Sequence, residues 1–163
     1  RGLALHEEGN QEEANQLFRS SFEILNGDGI LADDYFPLLR EAGLIEEHDR
    51  NFRIVYGRLA KSIEAYPKAH NTYNSAAWMA SRACRELPDA MQKIERALAM
   101  RPRQAAYLDT MAEVWFAKQD RSKAVEWSRK AVRDSFHGGS GSEAGVGLRE
   151  QYDRFISGEF PVP

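Results

Sequence analysis

At 163 residues with 42% apolar side chains, the chain has the length of one domain and enough apolar material for a continuous core, which excludes a disordered tail. Its 22 Lys and Arg against 25 Asp and Glu leave a formal charge of −3, so composition gives no electrostatic basis for nucleic acid or an anionic membrane as partner. The one cysteine, Cys84, excludes an internal disulfide, and no apolar run reaches the roughly 18–20 residues of a membrane helix.

The N-terminal stretch shows no signal-peptide core, and these features together fit a soluble chain of the cytosol or the periplasm. Starting at Arg1 inside a helical pattern, the sequence reads as a fragment of something longer. Two short helical patterns meet at Gly9-Asn10. Leu3 and Leu5 with the small Gly2 belong to the first, and Ala14, Leu17, Phe18, Ser21, Phe22 and Leu25 form an i, i+3, i+4, i+7 stripe on the second. Gly9 supplies a left-handed helix end and Asn10 a cap for the next helix. Asn26-Gly27-Asp28-Gly29 is a turn cluster in which Asp28 can cap.

A second hairpin carries Leu31, Tyr35, Leu38 and Leu39 on its first helix, which ends near Gly43, and Pro37 predicts a kink or a late start there. From Glu46 to Ala65, Phe52, Val55, Tyr56, Leu59 and Ile63 predict one long helix that Pro67 stops. The third hairpin starts near His70 with Tyr73, Ala76, Ala77 and Ala80. It returns through Ala90, Ile94, Ala97 and Leu98, with Pro88 in the first turn of the returning helix. The fourth repeats the design with Leu108, Met111, Ala112 and Trp115, then Ala124, Val125, Ser128, Ala131 and Val132. Ala90 and Ala124 are 34 residues apart, as are Ala97 and Ala131, and a fixed period of that size predicts stacked helical hairpins. Small residues at Ala77, Ala90, Ala112 and Ala124 let paired backbones approach closely. A Gly/Ser-rich stretch over 136–147 predicts a flexible loop, and 148–163 a last helix with Leu148, Tyr152, Phe155 and Ile156 on its apolar side, followed by an extended tail.

The stretch AYLDTMAEVWFAKQDRSKAVEWSRKAV, Ala106 to Val132, resembles a tetratricopeptide repeat through Met111, Ala112, Trp115, Ala124 and Ala131. The preceding repeat matches through Tyr73, Ala76-Ala77, Ala90, Ala97 and Arg101-Pro102. The resemblance covers about 70–135 strongly, 1–28 through Gly9, Ala14 and Phe18, and 29–68 weakly. It implies an all-α, right-handed solenoid of stacked antiparallel helix pairs over 1–135 (1–28 partial, 29–68 irregular, 70–104 and 105–135), closed by a capping helix. Three departures stand out. Ala77 and Ala112 are 35 apart, which places one additional residue in the third hairpin's inner turn, around Arg85 to Pro88. Ser128 stands where an aromatic is usual, and the second repeat has no recognisable small pair.

Such a superhelix lines a concave groove with its first helices, and the groove takes a segment of another protein. Carried over by position, the groove residues are Asn71, Asn74, Trp78 and Ser81 with Arg82 in the third repeat, and Ala106, Asp109, Glu113, Phe116 and Ala117 in the fourth. Asn side chains bond a partner's backbone in both directions, Trp78 and Phe116 offer flat apolar area, and Asp109 with Glu113 favours a basic segment. The family's subgroup that clamps acidic C-termini needs positive charge at these last positions, so that ligand class is excluded. Two alternatives stay open: Trp78 packing as core against the long helix before it, and Asn74 bonding a neighbouring helix instead of a ligand.

Nothing in the sequence assembles a catalytic centre or calls for a cofactor. His6, His48, His70 and His137 lack the close pairing of a zinc site and read as surface or turn residues. Cys84 has no designated base, although Arg82 and Arg85 are near in sequence, and reads as a small semi-buried thiol. His137-Gly-Gly-Ser lacks a G-x-S-x-G elbow, and Gly139, Gly141 and Gly145 form no dinucleotide fingerprint. The expected function is therefore a non-enzymatic protein-binding scaffold. The alternative is a structural spacer or self-assembly module within a longer protein, and the sequence leaves the oligomeric state open.

Overall fold

The computed structural model describes residues 1–24, 28–137 and 143–161, and among them every regular element is helical. In chain order these are α1 (Gly2–Glu7), α2 (Gln11–Ile24), α3 (Asp28–Ile30), a π-helical stretch (Leu31–Tyr35) running into α4 (Phe36–Glu41), α5 (Ile45–Ala65), α6 (His70–Ala83), α7 (Leu87–Met100), α8 (Ala105–Ala117), α9 (Arg121–His137) and α10 (Glu143–Ser157). Sequential neighbours pack antiparallel, as α1 on α2, α4 on α5, α6 on α7 and α8 on α9. Further contacts of α5 with α6, of α8 with both α6 and α7, and of α10 with α9 join the pairs around a main core and a second, smaller cluster of Ala112, Phe116, Ala124 and Phe155. No helix among the described residues is long and apolar enough to cross a membrane.

The same turn closes all four pairs. Each first helix ends on a left-handed residue, at Gly9 (φ 81), Gly43 (φ 72), Cys84 (φ 52) and Gln119 (φ 64). The amide after each returns to a carbonyl five residues earlier: Asn10 to Leu5, Leu44 to Leu39, Arg85 to Ala80 and Asp120 to Trp115, at 2.8–3.0 Å. This is the Schellman closure, which satisfies carbonyls that a helix end leaves without partners. In α6–α7 one more residue, Glu86, itself left-handed at φ 52, separates the turn from the next helix. It is the additional residue expected between Arg85 and Pro88.

Counting from these turns explains the irregular pair. Seven residues before them stand Gly2, Phe36, Ala77 and Ala112, and at the facing position of the returning helices stand Ala14, His48, Ala90 and Ala124. Three pairs therefore cross on small residues; a Cβ on Gly2 would already come within 3.1 Å of the Phe18 ring. The second pair instead crosses on Phe36 and His48, both wholly buried, with ring centroids 5.2 Å apart and planes at 76°. Edge-to-face packing of two rings replaces the close backbone approach of two alanines. His48 is thus a core residue, contrary to the surface or turn position expected for it.

Pro37 marks a change of helix type. With no N–H it cannot donate to the Asp33 carbonyl four residues back, and the π-helical turns lie just before it. The Asp33 carbonyl instead accepts from Arg82 Nη2 of α6 at 3.2 Å. At the other end of the chain α9 runs to His137, so it enters the segment expected to be loop, and α10 starts at Glu143 instead of at 148. A glycine in a helix costs about 1 kcal/mol relative to alanine, and Gly145 and Gly147 sit in the first turns of α10. Asn26-Gly27 and residues 138–142 of the expected loop lie outside the described residues.

Candidate functional site

Ten residues before the turns at Gly43, Cys84 and Gln119 stand Asp33, Asn74 and Asp109, three hydrogen-bond acceptors at one structural position of successive pairs. Four residues further along, Trp78 and Glu113 hold equivalent places in α6 and α8. One helical turn separates the two rows, so they share a face.

That face borders a cavity of about 600 Å³. Asn74 and Trp78 of α6 form one wall, Ala106, Asp109 and Thr110 of α8 another, Asp134 and Ser135 of α9 a third, and Gly147, Leu148 and Gln151 of α10 the last, with Arg103 and Gln104 at the α7–α8 connection. The volume is that of a small-ligand cleft or a side-chain pocket. Trp78 lines this cavity while also packing against the core, and its indole N–H donates to Asp33 Oδ1 at 2.8 Å.

Beside the cavity, charges from four elements meet. Glu113 is 1% exposed and pairs with Arg82 Nη1 at 3.3 Å and with Arg154 Nη2 of α10. Arg82 also lies 3.7 Å from Asp33 Oδ1. Asp109 is 7% exposed, and its Oδ1 has no hydrogen-bond partner. Burial, helped by the neighbouring Glu113 charge and opposed by Arg154 and Arg82, pushes the Asp109 carboxyl up to about 7. Asp33 is also raised, chiefly by burial, with the Trp78 hydrogen bond acting against it. Burial likewise holds the Arg154 guanidinium below its ordinary value. The outcome is asymmetric: among the described residues Glu113 has two cations in contact, while Asp109 has none.

Of the expected groove residues, Asn74, Trp78 and Asp109 come together on the cavity, and Arg82 and Glu113 form the ion pair next to it. Ala106 lines the cavity as well, whereas Asn71, at the start of α6, is exposed and outside it. Ser81 is buried and bonds the Trp78 carbonyl at 2.8 Å. Phe116 offers no area to a partner. It is wholly buried against Phe155 and Phe160 of this chain's own C-terminal segment, at centroid distances of 5.1 and 5.0 Å, with the Arg154 and Arg121 guanidinium groups over its ring. Asp33, Arg154 and the α10 wall were not anticipated. Asp33 was findable, since Gly9 and Gly43 repeat the 34-residue spacing and counting back from Gly43 gives the acceptor row.

The remaining reactive groups stand apart from this face. Cys84 is buried, donates to the Ser81 carbonyl at 3.6 Å, and has its pKa raised by burial. His48 Nδ1 is 2.9 Å from Asp49 Oδ1 and its Nε2 has no partner; burial lowers its pKa. His70 Nδ1 meets the Tyr107 hydroxyl at 2.5 Å. Among the described residues no cluster of three or more His, Cys, Asp or Glu could hold a metal ion. No family model, no curated protein and no solved structure matches the chain.

Proposed function

We propose that the chain is a tetratricopeptide-like interaction module, a right-handed stack of helix pairs whose concave face takes a segment of another protein, with no catalytic role. The observation that carries this reading is the coincidence of two independent assignments: the face that the repeat resemblance gives to ligand is also the face bordering the 600 Å³ cavity, through Asn74, Trp78 and Asp109. A half-buried tryptophan beside unpartnered acceptors suits the recognition of a peptide, whose apolar side chains need area and whose amides need acceptors. The C-terminal helix α10 forms one wall of that cavity.

A peptide-library screen against the whole chain tests the reading. The expected result is a partner segment whose affinity drops at least tenfold in Trp78→Ala and in Asp109→Ala, with helicity unchanged by circular dichroism. A partner bound equally by the wild type and both variants overturns the concave-face assignment.

A further inference from the structure

We infer that the cavity contains a subsite for an alkyl-ammonium or guanidinium group, seated between the Asp109 carboxylate, the Asn74 side-chain carbonyl and the Trp78 ring. As to where that group comes from, a lysine or arginine side chain of a bound segment, the inference rests on the function proposed above.

The argument starts from the acceptors left unpartnered. Asp109 is more than nine-tenths buried, yet Oδ1 receives no hydrogen bond, and Asn74 Oδ1 in the neighbouring helix receives none either. Both residues line the same cavity, and because these two oxygens are themselves closed to solvent, a rotation of each terminal group is what turns them to a ligand. A buried acceptor without a donor is destabilising, and an ionised one is more so unless a cation meets it. Two arginines lie close: Arg82 spans Glu113 and Asp33 with only its Nε left without a hydrogen-bond acceptor, Arg154 pairs with Glu113, and among the described residues neither pairs with Asp109. The rim arginine, Arg103, reaches Asp134 at 3.4 Å and is 72% exposed. The group that completes the site must therefore come from outside. It must donate to two acceptors and carry positive charge, and it stands beside the Trp78 ring, which already holds the Arg82 guanidinium 5.8 Å from its centroid. A neutral donor would satisfy the hydrogen bonds and leave the carboxylate charge uncompensated.

Charge accounting agrees. Asp33, Asp109 and Glu113 face Arg82 and Arg154 from four elements, a cluster of three acidic groups against two basic ones, while across the cavity Asp134 is held by both Arg103 and Arg133. One more cation brings the cluster to neutrality. Asp109, pushed up to about 7 by burial and the neighbouring Glu113 charge, would release its proton when that cation binds.

Calorimetric titration of the whole chain tests this with agmatine, n-butylammonium, and blocked alanine pentapeptides carrying one central lysine, arginine or norleucine. The expected result is binding of the cationic probes, about thirtyfold tighter at pH 8.5 than at pH 5.5 with a midpoint near 7, and proton release at the lower pH. Asp109→Asn, which keeps the side chain's shape, should lose at least tenfold in affinity and lose the pH dependence; its near-ultraviolet circular dichroism checks that the fold is intact. Tighter binding of the lysine or arginine peptide than of the free amines assigns the source to a partner segment, and equal binding assigns it to a free amine, the subsite being supported in both cases. No binding of any cationic probe, an unchanged affinity in Asp109→Asn, or equal binding of the norleucine peptide overturns it. A library partner that depends on Trp78 but not on Asp109 would remove the subsite and leave the concave-face reading standing. Agmatine binding with no peptide binding does the reverse.

Discussion

Arg121 Nη1 lies 2.6 Å from the carbonyl oxygen of Phe155, so a side chain in the first turn of α9 closes the last turn of α10. The same guanidinium takes the carbonyls of Ile156 at 2.9 Å and Gly158 at 2.6 Å, and its Cζ stands 4.6 Å over the Phe160 ring. Three carbonyls that a helix end leaves without partners are thereby satisfied, and the cationic end is stacked as well. Arg121→Ala should loosen α10 and cost about 1–3 kcal/mol. Hydrogen exchange of the α10 amides checks it: exchange should rise about tenfold or more there while α6 and α7 keep their protection.

Two buried groups pull stability in opposite directions over the same pH window. Asp109 titrates near 7 in the folded chain against 3.8 unfolded, so it favours folding at low pH and that contribution is lost as pH rises toward 7. His48 has its pKa lowered from 6.5 by burial, so the folded form resists a proton that the unfolded chain accepts, and stability is lost as pH falls below 6.5. Asp109→Asn removes the first effect alone. It should stabilise the chain at pH 8 by on the order of 2 kcal/mol, about 5 °C in melting temperature, with a smaller gain at pH 5. Melting curves of both proteins from pH 5 to 8 test this, and a gain that is independent of pH would remove Asp109 as the cause.

Cys84 should be slow to react. Its thiol is buried, donates to the Ser81 carbonyl, and titrates above its ordinary value because burial disfavours the thiolate, with the Arg40 charge opposing that only in part. Labelling by a disulfide reagent at pH 7 should be about a hundredfold slower than for a free thiol and should reach full speed in denaturant.

Gly147, in the second turn of α10, has nothing within 4 Å of where a Cβ would stand, because that side borders the cavity. Gly147→Ala should therefore stabilise the helix by about 0.5–1 kcal/mol with no clash to offset it. Urea denaturation reads the change as a higher midpoint at constant slope.

The helices and their pairing were legible because the signals are local: apolar spacing, Pro88 in a first turn, and alanines at a fixed period. The second pair resisted because its crossing position holds Phe36 and His48, which fill by ring packing the place that small residues elsewhere keep narrow. A pattern search for alanine passes over it, yet the turn residue Gly43 sits in register. For the site, Asn74, Trp78 and Asp109 were named by the repeat resemblance, position by position, and all three line the cavity. The burial of Phe116 did not, since it depends on α10 returning over α8, and no local signal announces where a helix beyond a glycine-rich segment will dock. Arg154 was missed for the same reason, its partner Glu113 being 41 residues away.

The four inner turns share a backbone conformation but not a residue: two are glycine, one is Cys84 and one is Gln119. A side chain held left-handed carries a penalty of roughly 1–2 kcal/mol that glycine does not. The chain thus holds a latent margin of robustness at Gln119, an exposed position outside the cavity lining. Gln119→Gly should raise the melting temperature, whereas at Cys84 the same gain is offset by the loss of a buried, hydrogen-bonded thiol, so Gln119 marks where a lineage or an engineer could first gain tolerance for substitutions that reshape the binding face.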